Sequence, residues 1–409
     1  STVRAPGQVD VQATSSGAIK SVAAGMSGGG SVALAGSNTT NALTSTVLAQ
    51  LDSTNLVVNA SAVNVLARDT SSIQSFAGTV AGGGAAGGGA ALALNYLGRT
   101  AGNADSSKVV KAEVLASNVR VAGPAVVSAY STSSIESIGV AAGASGTAAI
   151  SGSNATNLLE DEITANWTGT NLSSTSSLTV SARQASNIDS LAGNVSGSLG
   201  AAVGAAVAVN RIGTVTRANV LGEPIARFYA GQGNWTLNGD DLVVSTESDN
   251  EIDTIAVGMS AGAAGVQGSV AVSVINAQTH TTVGADATVS DLYFTDSVAI
   301  TANSRDRIRA LAGAVGFGAA GVGAAGGVLT NIITSSTTAG VVGLDTHVNA
   351  MAQGRNAMHQ NAATHQEHGS GAHDRQRFHE PGRRCQNAAT HALLPGRCLP
   401  AEVQAQVIE

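Results

Sequence analysis

A repeat constrains this 409-residue chain more than any other feature. An isoleucine in a Ser-x-Ile-x-Ser-like context recurs at Ile19, Ile73, Ile135, Ile188, Ile252 and Ile308, at spacings of 54, 62, 53, 64 and 56 residues. Short and long spacings alternate, so a pair of units is the better period: Ile19 to Ile135 is 116 and Ile135 to Ile252 is 117. The closing segments agree. Gly36-Ser37-Asn38-Thr39-Thr40-Asn41 matches Gly152-Ser153-Asn154-Ala155-Thr156-Asn157 one pair later, and Leu92-Ala93-Leu94-Asn95 matches Val207-Ala208-Val209-Asn210. A unit of this kind cannot bury its apolar face alone; stacking on its neighbours does that.

Local patterns name the element being stacked. Runs such as Val9-Asp10-Val11-Gln12-Ala13 and Leu178-Thr179-Val180-Ser181-Ala182 precede the isoleucine, alternating apolar and polar residues with the period of a strand. After it come Gly/Ala-rich runs, among them Ala77 to Leu94 and Ala312 to Leu329. Alanine favours helix, but Gly82-Gly83-Gly84 and Gly87-Gly88-Gly89 would each cost nearly 1 kcal/mol per interior helical position. A tightly pressed sheet instead gives missing side chains a use. Asn238-Gly239-Asp240 and similar pieces supply turns.

The expected fold is therefore all-β: a parallel β-solenoid of six repeats of about 58 residues over residues 1–350, followed by an unstructured tail at 351–409. Parallel stacking sets Val on Val inside and Ser, Thr or Asn on themselves outside. The unit is long for a simple triangular coil, so it is either two coils or one wide coil with an excursion. Composition agrees. With 50 Gly, 3% aromatic and 11% charged residues, the chain has no material for a thick core of large side chains, and its charge is about half the usual quarter. A net charge of −7 with 43% hydrophobic residues fits disorder badly. Three lysines leave no basic surface for nucleic acid or anionic lipid. The uncharged stretch 310–344 exceeds a bilayer span in length, but it is poor in Leu, Ile and Phe and ends in Thr334-Ser335-Ser336-Thr337-Thr338, so no membrane-spanning segment is expected.

The Ala-Gly-x-Val blocks, the segment Gly200 to Asn210 and the Thr-x-Ala step at Thr216 to Ala218 resemble the long arrays of large secreted bacterial filamentous adhesins, the filamentous-haemagglutinin-like and leukotoxin-like families. The resemblance covers residues 9 to 350 and rests on repeat texture. It implies an interior section of a secreted, rod-like protein displayed on a Gram-negative surface. It also implies neighbours in a longer filament and a host-cell or matrix glycan or protein as receptor. The absence of Cys from the first 350 residues suits export. No signal peptide is visible, so the chain reads as a mature fragment or an internal piece.

Chemistry is sparse. His280 and His347 are the only histidines before residue 351, which leaves no material there for a Ser-His-Asp or Cys-His system. Glu247, Asp249, Glu251 and Asp253 alternate, so a strand would place all four on one face. Such a row could hold a divalent cation, supply paired carboxylates for polysaccharide cleavage, or simply be a solvated charged face. Trp167 and Trp235, in Asn-Trp-Thr steps of what read as comparable linkers, could cover a coil edge or contact a flat ligand. No cofactor motif is present, because the glycine run Gly82 to Gly89 lacks the Lys-Ser/Thr of a phosphate loop.

The tail changes character abruptly. It holds six His, Cys385 and Cys398 at spacings that match no compact zinc site. A seventh anchor is expected near position 370 and is missing, while Gln360 to His365 recurs as Gln386 to His391. That pattern suits repetitive DNA read out of frame, a disordered extension being the other reading. The functional expectation is a non-enzymatic adhesin shaft at the bacterial outer surface. The alternatives are a β-helix acting on polysaccharide through its acidic cluster, and an ice-binding solenoid for which Thr279 to Thr282 would supply ranks.

Overall fold

The computed structural model describes residues 2–52, 57–98, 107–115, 118–174, 176–222, 235–284, 290–342, 346–350, 360–361 and 407–408. Every regular element among them is a β-strand. The Gly/Ala runs are strands too: 77–83 ends the strand Ala62–Gly83, and Ala86–Leu97 follows it. Beyond Ala350, only the dipeptides Gln360–Asn361 and Val407–Ile408 are described, so the tail readings, Cys385 and Cys398 included, lie outside the described residues.

Each repeat is one wide coil, which decides between the two coil readings. In the first, a short side (Thr2–Arg4) leads into an outgoing wall (Gln8–Gly29), a turn, and a return wall (Val32–Leu43 and Thr46–Asp52) that runs back. The next coil starts at Val57–Ala60, which pairs in parallel with Thr2–Arg4. In the fifth and sixth coils the three sides merge into the strands Trp235–Gly284 and Ser290–Val342. A 22-residue wall is about 70 Å long at the rise of an extended chain, whereas six coils stacked at strand spacing reach only about 29 Å. The six coils form a slab, and only a longer array would be a rod.

Register is as the repeat requires. Ile19, Ile73, Ile135, Ile188, Ile252 and Ile308 are successive partners in the parallel ladder. The extra length of the second coil falls at 98–107, where the ladder passes from Leu97 opposite Leu159 to Lys108 opposite Asp161. Gly98 opens that excursion at φ +82°, a conformation for which glycine is suited.

The interior is layered across the section. Val, Leu, Trp167 and Phe294 fill the wide end beside the short side. A polar seam follows. Next come the isoleucine anchors, packed on Leu97, Leu159, Ile212 and Ile275 of the return wall. An asparagine ladder lies beyond: Asn41 donates to Asn95 (2.8 Å), Asn95 to Asn157 (2.8 Å) and Asn157 to Asn210 (2.7 Å), all through Nδ2 to Oδ1. Asn41 and Asn95 also donate to Ser21 and Ser75 on the facing wall. Only alanines cluster past the ladder, and glycines line the walls near the turn.

Those glycines let the two walls meet backbone to backbone. A Cβ on Gly139 would stand 2.7 Å from the Asn154 carbonyl oxygen, and one on Gly143 2.8 Å from that of Ile150. Gly197 points into open space. Gly139→Ala should therefore destabilise the protein by roughly 1–3 kcal/mol through overpacking. Gly197→Ala should be neutral or stabilising by up to about 1 kcal/mol. Chemical denaturation of the two variants checks the contrast; equal tolerance would mean that the walls can part.

Candidate functional site

Strand alternation carries the acidic row to the outside. Glu247, Asp249, Glu251 and Asp253 occupy successive outward positions of one strand, as their spacing predicts. The coils on either side supply arginines at the same register. Arg183 Nε lies 3.2 Å from Glu247, Arg305 Nη1 3.8 Å from Asp249, Arg307 Nη1 3.3 Å from Glu251 and Arg309 Nε 2.8 Å from Asp253. Arg309 also pairs with Glu251. Each carboxylate thus has a guanidinium neighbour, so the row forms an inter-coil ion-pair network. These pairs are partly exposed, so solvent and salt screen them and each contributes little to stability. No group of three or more His, Cys, Asp or Glu is arranged to hold a metal ion among the described residues.

Ladder register adds Glu136 and Asp189, which sequence reasoning missed: Glu136, Asp189 and Asp253 stack in one column that ends on Arg309. Burial pushes the Asp189 carboxyl up, and the charges of Asp253, Glu136 and Glu251 push it further, against a hydrogen bond from Asn187. The tryptophans do not share a location. Trp167 sits on the return wall opposite Val220 and is fully buried in the wide core, with its indole N–H donating to the Thr170 carbonyl at 2.9 Å. It is a core residue and not a surface contact, because even parity along the wall turns it inward. Trp235 begins the short side of its coil, paired with Ser290; its side chain lies outside the described residues. Thr279 and Thr281 also point inward and are buried. His280 is outward and half-buried, its pKa lowered by burial and then by the charge of Arg217.

A charged cluster lies in the polar seam of the interior, and its pairing of Lys108 with Asp69 and Asp161 was not visible in the sequence. Lys108 is completely buried and donates to Asp69 Oδ2 at 2.9 Å and to Ser133 Oγ at 2.5 Å. Asp161 Oδ2 stands 3.5 Å from the Lys108 ammonium and accepts from Ser133 at 2.6 Å. Asp69 also accepts from Ser71 (2.6 Å) and Ser45 (3.0 Å). Burial pushes Asp69 up, but the hydrogen bonds from Ser71 and Lys108 and the Lys108 charge outweigh it and hold the carboxyl below its ordinary range. Burial dominates at Asp161 and raises it, against the charge of Lys108 and the Ser133 hydrogen bond. The fold thus keeps one lysine with one firmly ionised partner and a second carboxyl inclined to hold its proton. Lys108, Asp69 and Asp161 are all buried between the walls, and the arrangement orders the seam.

No family model matches the chain, and no curated protein or solved structure is similar to it.

Lys108→Met leaves a buried carboxylate without its cation and should cost about 3–5 kcal/mol. Adding Asp69→Leu and Asp161→Leu should recover most of that loss in urea unfolding. A mild single variant would show that water reaches the seam.

Asp161→Asn gives a pH test. A carboxyl whose folded pKa is raised favours the folded state fully below its unfolded value, near 3.8, and loses that contribution as pH rises through the folded value. The wild type should lose stability relative to Asp161→Asn as pH rises above the ordinary carboxylate range. Unfolding midpoints measured over that rise check it; a gap that stays constant with pH would mean that Asp161 ionises normally. Asp69, held low, acts in the opposite sense and only as pH falls below the ordinary carboxylate range.

Proposed function

We propose that this chain is a shaft segment of an extracellular filamentous adhesin that holds a binding region away from a bacterial surface. The observation that carries the reading is the common register of six coils along most of their walls, in which chemically active groups hold coil to coil: Asn on Asn, Arg on Glu and Asp, Lys108 on Asp161. A scaffold needs that economy, and an active site would break it in one coil. The slab proportions support the same reading, since length along the stack grows only by adding coils. The resemblance of the repeats to filamentous adhesins supplies the extracellular setting, the glycan or protein receptor and the longer filament.

Electron microscopy of the full secreted protein, with an antibody raised against the folded solenoid, tests the proposal. Label is expected along a filament that lengthens by about 4.8 Å per coil. Release of sugar from a polysaccharide, lost in Glu251→Gln or Asp253→Asn, would replace the shaft with an enzyme.

A further inference from the structure

The half of each coil nearest the turn has its polarity inside out. No Asp, Glu, Lys or Arg occurs between Lys20 and Asp52, Glu136 and Glu160, Asp189 and Arg211, or Asp253 and Asp286. Inward positions of this blade are small and often polar, such as Ser137, Ser153, Ser190 and Asn194, all buried between the walls. Outward positions carry the large apolar side chains. Exposure is 55% at Val80, 62% at Ile150 and 51% at Val195, all in inner coils, so it is not an effect of the stack's ends.

In-register stacking turns this face into corrugation along the stack. Met26, Val80, Ala142, Val195, Met259 and Val315 are successive ladder partners on the outgoing wall and form a ridge. Gly36, Ala90, Gly152, Ala205, Gly268 and Gly326 do the same on the return wall and form a groove without large side chains. Ridge and groove share one coil spacing. We propose that a second copy of this chain covers the blade, laid side by side so that the ridge of one copy enters the groove of the other.

Area and chemistry both favour that occupant. Eight residues of wall by six coils is about 26 by 29 Å, or roughly 750 Å² per face. That exceeds the largest apolar patch of a typical monomer and is close to the ~800 Å² per partner of a stable interface. A lipid layer suits the face less well. The walls of the first coil are paired along one edge only among the described residues. Hydrocarbon would leave the backbone groups of the other edge without partners, whereas a protein partner leaves them in water. Because the blade has two such faces, pairing of outgoing to return wall can continue from copy to copy into a lateral bundle. The inference rests on the fold and stands apart from the adhesin reading.

Sedimentation velocity on the whole chain tests it, with Ala205→Glu and Gly326→Glu combined as the variant. A Cβ on Gly326 meets nothing within 4 Å, Ala205 is outward and exposed, and a coil lies between the two, so the new carboxylates are not ladder partners and the coils themselves are undisturbed. Self-association of the wild type at micromolar concentration is expected, weakened roughly tenfold or more in the variant, with unchanged circular dichroism and melting. A wild type that stays monomeric, or a variant that associates equally well through its sheet edges, overturns the proposal. Flotation with phosphatidylcholine vesicles in place of self-association would assign the face to lipid instead.

Discussion

The backbone of every coil is hydrogen-bonded to the equivalent backbone of its neighbours, with no relative shift along most of two long walls. All else follows from that lock. A residue meets its own counterpart above and below at strand spacing, so whatever occupies a position is multiplied into a rank. Apolar ranks become columns of core, asparagine becomes a hydrogen-bonded ladder, and glycine becomes a seam where walls touch. A like-charge rank would be repulsive, and the chain avoids most of that by exchanging acids for arginines from the fifth coil to the sixth.

Side-chain size falls from one end of the section to the other. Trp, Phe, Leu and Val hold the walls apart at the short side, Ile and Leu narrow the gap, and Ala and Gly close it. This explains how a chain with 3% aromatic residues builds a stable interior. It does not fill a thick core; it removes the need for one by bringing two sheets to backbone contact. Small side chains inside the narrow half contribute little burial, and larger apolar ones on its outside, such as Val80, Ile150 and Val195, stay about half exposed until something covers them.

Parity about the anchor isoleucines orders the charged residues. Glu247, Asp249, Glu251 and Asp253 stand an odd number of positions from Ile252 and face outward, while Asp69 and Asp306 stand an even number from Ile73 and Ile308 and face inward. Counting in twos from the anchors would have singled out Asp69 as an interior charge in need of a cation. It would also have turned Met26 and Val195 outward, since each lies seven residues past its isoleucine. For Met26 and Val195 the count holds only if one strand runs through the Gly/Ala segment without a bend. Alternation alone left that open, the same segment being compatible with a helix.

The number of repeats, their register, the sharing of one face by the four acids and the expectation of an all-β class were thus legible in the sequence, because a repeat stacked on itself has only one register that keeps like on like. What only the tertiary structure decided is how the two walls of a coil face one another. That Lys108 meets Asp69 and Asp161, that Trp167 turns into the core, and that the glycine tips close on the opposite backbone all depend on where the chain folds back. Which residues meet across the walls is set by where the chain turns, and the period along one wall does not record it; once set, the contact recurs from coil to coil, as Asn41 on Ser21 and Asn95 on Ser75 do.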